Sequence, residues 1–207
     1  MSRKLAPLAL ALVAALAAPV ALAQSAGTLT IGVGAHNVAP KSDNGSLAGG
    51  TLAVDVGSNV RPTITGEYFV ADNLGLELIA ALPFQHEINI AGLGTVGSTK
   101  HLPPTVSLNY HFGATDAAIK PYVGAGVNYT WFFSEKTEGA LAANELALKN
   151  SWGWAAQAGI DFAVGNGAIR VNVRKIDIDS AVRLDGANIG TVAIDPLVYG
   201  VHYMMKF

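Results

Sequence analysis

Residues 121–133 read PYVGAGVNYTWFF. Val123, Ala125, Val127, Tyr129, Trp131 and Phe133 fall on one face, and Tyr122, Gly124, Gly126, Asn128 and Thr130 on the other. A repeat of two residues is the period of a β-strand. The polar face is built of Gly, Asn and Thr, with no Lys or Glu, so it is unlike a surface bathed in water. The large apolar side chains occupy the opposite face, where lipid would receive them.

Seven further segments alternate in the same way: 28–36, 60–70, 74–84, 102–112, 152–164, 168–174 and 197–207. In 74–84, for example, Leu74, Leu76, Leu78, Ala80, Leu82 and Phe84 oppose Gly75, Glu77, Ile79, Ala81 and Pro83. The connectors at 37–59, 87–100, 134–150 and 180–191 are long and polar or Gly-rich, whereas 71–73, 113–119 and 165–167 are short. Long connectors thus share one end and short ones the other. An even strand number with this alternation is the layout of a transmembrane β-barrel. The sequence therefore predicts an all-β fold, an eight-stranded antiparallel outer-membrane barrel. Closure is required because lipid cannot satisfy an open strand edge. The outward aromatics divide into two girdles: Phe84, Tyr129, Trp131, Phe133, Trp152 and Trp154 toward the long loops, and Tyr68, Tyr110, Phe112, Phe162, Tyr203 and Phe207 toward the short turns. The competing architecture is a soluble eight-stranded barrel with an apolar interior, which would need Lys and Glu on its polar face.

Composition agrees. Of 207 residues 51% are hydrophobic and only 14% charged, against roughly 25% charged in an ordinary globular chain. There is no Cys, and the net charge is −2. These values exclude a disulfide scaffold and Cys-ligated metal, and give no basic footprint for nucleic acid. Residues 1–23 combine Arg3 and Lys4, an apolar run from Leu8 to Ala18 and the small-x-small sequence Ala21-Leu22-Ala23. This is the pattern of a secretory signal peptide, leaving 24–207 as the barrel domain.

By parity the lumen receives Arg61, Glu67, Glu77, Asp161, Arg170, Arg174 and Lys206. Buried charges must pair, so Glu67, Asp161, Arg170 and Lys206 are expected to form an ion-pair plug on the turn side. Glu77, Ile79, Ala81 and Arg174 should border a mid-barrel constriction. On the loop side Ile79, Ala81 and Pro83, with Leu47, Leu52, Val54 and Val56 of the first long loop, suggest an apolar pocket open to the outside. No catalytic constellation, cofactor motif or metal-ligand spacing stands out. His86 and His101 flank the second long loop and read as surface groups. Residues 140–149, ALAANELALK, read as a short helix whose Leu141, Leu146 and Leu148 cap a loop. Tyr203, Met205 and Phe207 alternate on the lipid face and end on an aromatic, a pattern resembling the C-terminal signal read by the barrel-assembly machinery.

Several stretches resemble the outer-membrane protein W (OmpW) family: ELIAALPFQHEI at 77–88, STKHLPPTVSLNYHF at 98–112, PYVGAGVNYTWFF at 121–133, SWGWAAQAGIDF at 151–162, RKIDID at 174–179, and Asp195-Pro196 through Phe207. The resemblance spans nearly all of 24–207 in order. It implies an outer-membrane barrel of a Gram-negative bacterium, with lipids around it and a largely hydrophobic channel that passes small hydrophobic solutes, with lateral release into the bilayer. Against that pattern, Arg174 and Lys175 stand where family members often carry apolar or aromatic residues, and a charged Arg174 would narrow an apolar path. The alternative function is a non-conducting structural or surface-interaction barrel.

Overall fold

The structure is a computed structural model that describes residues 24–207; the signal peptide expected at 1–23 lies outside them. Its strands, in chain order, are β1 (Leu29–Ala39), β2 (Ser46–Leu47), β3 (Leu52–Val56), β4 (Asn59–Ala71), β5 (Leu74–Ala81), β6 (Phe84–Ile90), β7 (Gly94–Leu102), β8 (Thr105–His111), β9 (Ile119–Thr137), β10 (Leu146–Leu148), β11 (Ser151–Val164), β12 (Gly167–Ile176), β13 (Asp179–Leu184), β14 (Ala187–Ala193) and β15 (Leu197–Lys206). Eight of them close a ring in the order β1-β4-β5-β8-β9-β11-β12-β15, each pairing antiparallel with its neighbours. The last strand meets the first with Thr30 opposite Lys206 and Ala39 opposite Leu197. This is the eight-stranded antiparallel barrel that the alternation predicts.

The outward face carries what lipid requires. Leu78, Val106, Val127 and Val201 are exposed along mid-strand, and Trp131, Trp152 and Trp154 are exposed toward the long connectors. Tyr68, Tyr110, Phe112, Tyr203 and Phe207 are exposed toward the turns, with Met205 half-buried between the last two.

Three local expectations change. The long connectors are not loops: β6 and β7 form a hairpin carried upward on β9, β2 and β3 attach beside β6, and β10, β13 and β14 make a small separate sheet. The barrel wall therefore continues beyond the lipid. Phe84 was expected outward and is instead buried at 2% exposure. Strand β5 ends at Ala81, and the bend at Leu82-Pro83 restarts the alternation in the opposite sense, because Pro supplies no ladder N–H. Residues 140–149 hold only a single 3₁₀ turn, Gly139–Leu141, followed by β10. Leu146 and Leu148 pair with Leu184 and Val182, so strand pairing overrides local helix propensity.

The alternation of long and short connectors fixes topology. Cysteines at exposed Ser46 and Ala140 should react with a membrane-impermeant maleimide on intact cells, while one at Asn166, in the β11–β12 turn, should react only after the envelope is opened. Labelling in the reverse pattern would invert the barrel.

Candidate functional site

The interior is divided along its axis. On the turn side, Arg170 of β12 is a hub: Nε and Nη2 donate to the two Asp161 carboxylate oxygens at 2.7 and 2.8 Å, Nη1 meets Glu77 at 2.9 Å, and Nη2 meets Glu67 at 2.8 Å. Its guanidinium carbon lies 4.6 Å from the centre of the Tyr122 ring. Arg174, two pleat repeats further out on the same face, donates to Glu77 at 2.6 Å and to Gln157. His111 Nε2 and Asn109 Nδ2 reach Glu67 Oε1 at 2.9 and 3.0 Å, and the Gln24 amide donates to Asp161 at 3.0 Å. Arg170, Arg174, Glu67, Glu77 and Asp161 are all at most 4% exposed.

Glycine makes the room. A Cβ on Gly75 would stand 2.3 Å from Glu67 Oε1, and one on Gly159 would stand 2.6 Å from the Tyr122 ring. The small residues on the inward face are thus the complement of the large charged ones.

The expected plug is corrected in two respects. Lys206 is exposed at the end of β15 and joins no ion pair among the described residues; its side chain sits at the mouth of the barrel, where water solvates it more cheaply than burial would. Glu77 and Arg174, assigned to a separate constriction, belong to the same network as Glu67, Asp161 and Arg170. Period-two reading placed His111, Asn109, Gln157 and Tyr122 inward; it could not rank them as partners, because cross-barrel distance depends on register between strands far apart in sequence.

Above the network the interior turns apolar. Ile79 and Ala81 share a small cavity of about 20 Å³ with Arg174, His36, Thr63, Phe84 and Pro103. His36 Nε2 donates to Asn172 Oδ1 at 3.1 Å, while Thr63 Oγ1 lies 3.0 Å from His36 Nδ1 and 2.7 Å from His202 Nε2. Beyond it lies a chamber of about 60 Å³ inside the extended wall. Leu47, Leu52, Val54 and Val56 line it with Ile88, Ile90, Phe132, Leu148 and Val192, and every lining side chain except His86, Thr99 and His101 is hydrocarbon or aromatic. Pro83 is not among the residues lining either cavity; its carbonyl accepts from Arg61 Nε at 3.0 Å instead. His86 and His101, read as surface groups, are buried at 2% and 1% exposure. The cause is again the hairpin: once 84–102 is strand rather than loop, alternate residues point into the interior.

At the outer rim, Lys41 Nζ donates to Asp195 at 2.9 Å, and Asp185 accepts from the Glu145 backbone N–H at 2.7 Å and from the Asn144 side chain. The backbone hydrogen bond, then that of Asn144, hold the Asp185 carboxyl below its ordinary range. The two Asp185 contacts tie the 134–150 connector to the β13–β14 turn.

A family model described as the OmpW family matches residues 25–207. Outer membrane protein W of Escherichia coli K12 is 36% identical over 186 residues, which is 86% of this chain and 88% of that protein. The crystal structure of the outer membrane protein OprG from Pseudomonas aeruginosa superposes with a TM-score of 0.78 at 32% identity, covering 89% of this chain and 98% of that one. The solid-state NMR structure of outer membrane protein AlkL in lipid bilayers gives a TM-score of 0.66 at 23% identity over 88% of this chain and 91% of that one, a likeness of fold.

Proposed function

The chain belongs to the OmpW family of outer-membrane β-barrels, and from that footing we propose that it takes small hydrophobic molecules from the cell exterior into the apolar chamber and releases them sideways into the bilayer. The observation that carries this reading is the chamber wall, in which sixteen of nineteen lining residues are hydrocarbon or aromatic. Each methylene moved from water into such a wall gains about 0.8 kcal/mol. A polar solute would lose hydration there and find few partners.

The axial route ends at the charged network, whose members already satisfy one another. A sideways route has a physical basis in the wall. The ladder between β5 and β8 stops at Ile79 opposite Thr105. Beyond it Pro103 and Pro104 have no N–H to offer, and their carbonyls accept from Asn128 Nδ2 on the β9 side at 3.1 and 3.2 Å. The small cavity at this level is lined both by inward Ile79 and Arg174 and by Ala80, which is exposed on the outer face. Chamber, constriction and seam lie in sequence.

Uptake of an apolar dye into proteoliposomes tests the proposal. Leu148→Asp, in the half-buried chamber wall, and Ile79→Asp, at the constriction, should each reduce barrel-dependent uptake several-fold while the protein keeps its folded, heat-modifiable form. Uptake equal to wild type in both variants would remove the chamber from the transport path and favour a non-conducting barrel.

A further inference from the structure

We propose that the chamber selects apolar molecules bearing a hydroxyl group, with the His86–His101 pair at its inner end as the reader of that group. The inference rests on the apolar-chamber reading above and specifies its ligand.

The two imidazoles stack face to face, centroids 4.9 Å apart and planes 7° from parallel. Phe84 stacks on His101 at 5.6 Å, and Phe132 packs against it at 5.7 Å. Both histidines line the chamber, and their position early in β6 and late in β7 sets them at its membrane-proximal end. His86 Nδ1 bonds the Gly57 carbonyl. That nitrogen must carry the proton, so in a neutral ring Nε2 is a bare acceptor. Nε2 of His86 and both ring nitrogens of His101 have no hydrogen-bond partner among the described residues. Among the described residues no carboxylate pairs with either ring, and a buried charge without a partner is strongly disfavoured, so both rings are neutral. A neutral His101 presents one N–H donor and one bare nitrogen. The three orphaned atoms are therefore two acceptors and one donor.

Leaving such groups unmet inside an apolar enclosure is costly. Hydrocarbon cannot meet them. An ether or ester oxygen can only accept, and so serves the single donor. A hydroxyl both donates and accepts, and serves an acceptor as well. No third His, Cys, Asp or Glu completes a metal-binding group among the described residues, so the pair does not read as a metal site. The chamber, at about 60 Å³, is smaller than the roughly 150 Å³ apolar cavity that accommodates benzene. That volume encloses only part of a ligand, the hydroxyl end of an alkyl chain. The occupant is then a short-chain alcohol, hydroxyl inward against His86 and His101 and alkyl tail outward along Ile88, Val54 and Leu148.

The test is a binding series in lipid nanodiscs with 1-hexanol, methyl pentyl ether and heptane, probes of matched length, their concentrations referenced to the bilayer. Affinity is followed by the methyl resonances of Val54, Ile90 and Val192, and the imidazole nitrogen resonances of His86 and His101 are recorded in parallel. Wild type should bind 1-hexanol about tenfold more tightly than heptane, the difference expected of one net hydrogen bond, with the ether between. The His101 nitrogen shifts should move with 1-hexanol and not with heptane. His101→Phe, which keeps an aromatic ring between Phe84 and Phe132, should lose the preference for the alcohol over heptane. Equal affinity for the three probes in wild type overturns the hydroxyl reading while leaving the apolar chamber intact. So do imidazole shifts that stay fixed on adding 1-hexanol, which would mean ordered water holds the nitrogens. Failure of all three probes to perturb the chamber methyls overturns the apolar-chamber reading and this inference with it.

Discussion

Arg170→Met should cost the barrel about 3–5 kcal/mol, because removing one partner of a buried ionic cluster leaves the others charged and unpaired. Three carboxylates lean on this one guanidinium: Asp161 through two bonds, and Glu67 and Glu77 through one ion pair each. None of the three is more than 4% exposed. Methionine keeps the apolar stem of the side chain but not the guanidinium, so the loss combines charge with some volume, and neutralising the carboxylates as well separates the two. Urea unfolding in lipid vesicles measures it. The combined replacement of Arg170→Met with Glu67→Gln, Glu77→Gln and Asp161→Asn should recover a large part of the stability, since a cluster without charges needs no counter-charge. A single-variant loss below about 1 kcal/mol, the range of exposed ion pairs, would mean that water reaches the network and that the turn-side lumen is not sealed.

Leu78→Arg is the second large effect. Leu78 is 51% exposed on the outer face, opposite Gly66 of β4 and Val106 of β8, near the middle of its strand. A cation on the lipid face at the bilayer midplane costs about 2–4 kcal/mol, falling to about 0–1 near the interfaces. Trp152→Arg, at 74% exposure in the loop-side girdle, should therefore be much milder. The contrast in vesicles, vanishing for both sites in a water-soluble barrel, checks which face meets lipid. Equal small losses at both positions would contradict the assignment.

The barrel itself was legible because its information is local and periodic. In PYVGAGVNYTWFF every second residue announces a face, and eight such stretches with alternating connector lengths leave little choice of architecture. What periodicity could not supply was anything that crosses a break in the alternation. Leu82-Pro83 interrupts the ladder, so Phe84 and His86 appear on the wrong side when parity is carried through it. The long connectors are rich in Gly and polar residues, and their strands acquire their pairing from β9 and β13 rather than from their own propensity.

The candidate site divides along the same line. Inward charges followed from parity, and Arg170 with Asp161 was reachable because the two are paired across adjacent strands. The union of Glu77 with Arg170 and Arg174 spans the lumen between strands 93 and 97 residues apart in sequence, a contact that only closure creates. Closure is also what makes Lys206 different from its neighbours on the inward face: near the mouth of a barrel, inward parity no longer means burial. The stacked histidines illustrate the converse, since residues at the rim of a supposed loop become interior once the wall continues past the membrane.

The central claim, that the outer chamber receives small hydrophobic molecules, is tested most directly by isotope-filtered nuclear Overhauser spectroscopy of an unlabelled short alkyl probe with methyl-labelled protein in nanodiscs. The account predicts cross-peaks from the probe to the inward methyls of Val54, Ile90 and Val192, which line the chamber. Cross-peaks confined to lipid-facing methyls such as those of Leu78 and Val106, with none to the chamber, would contradict it.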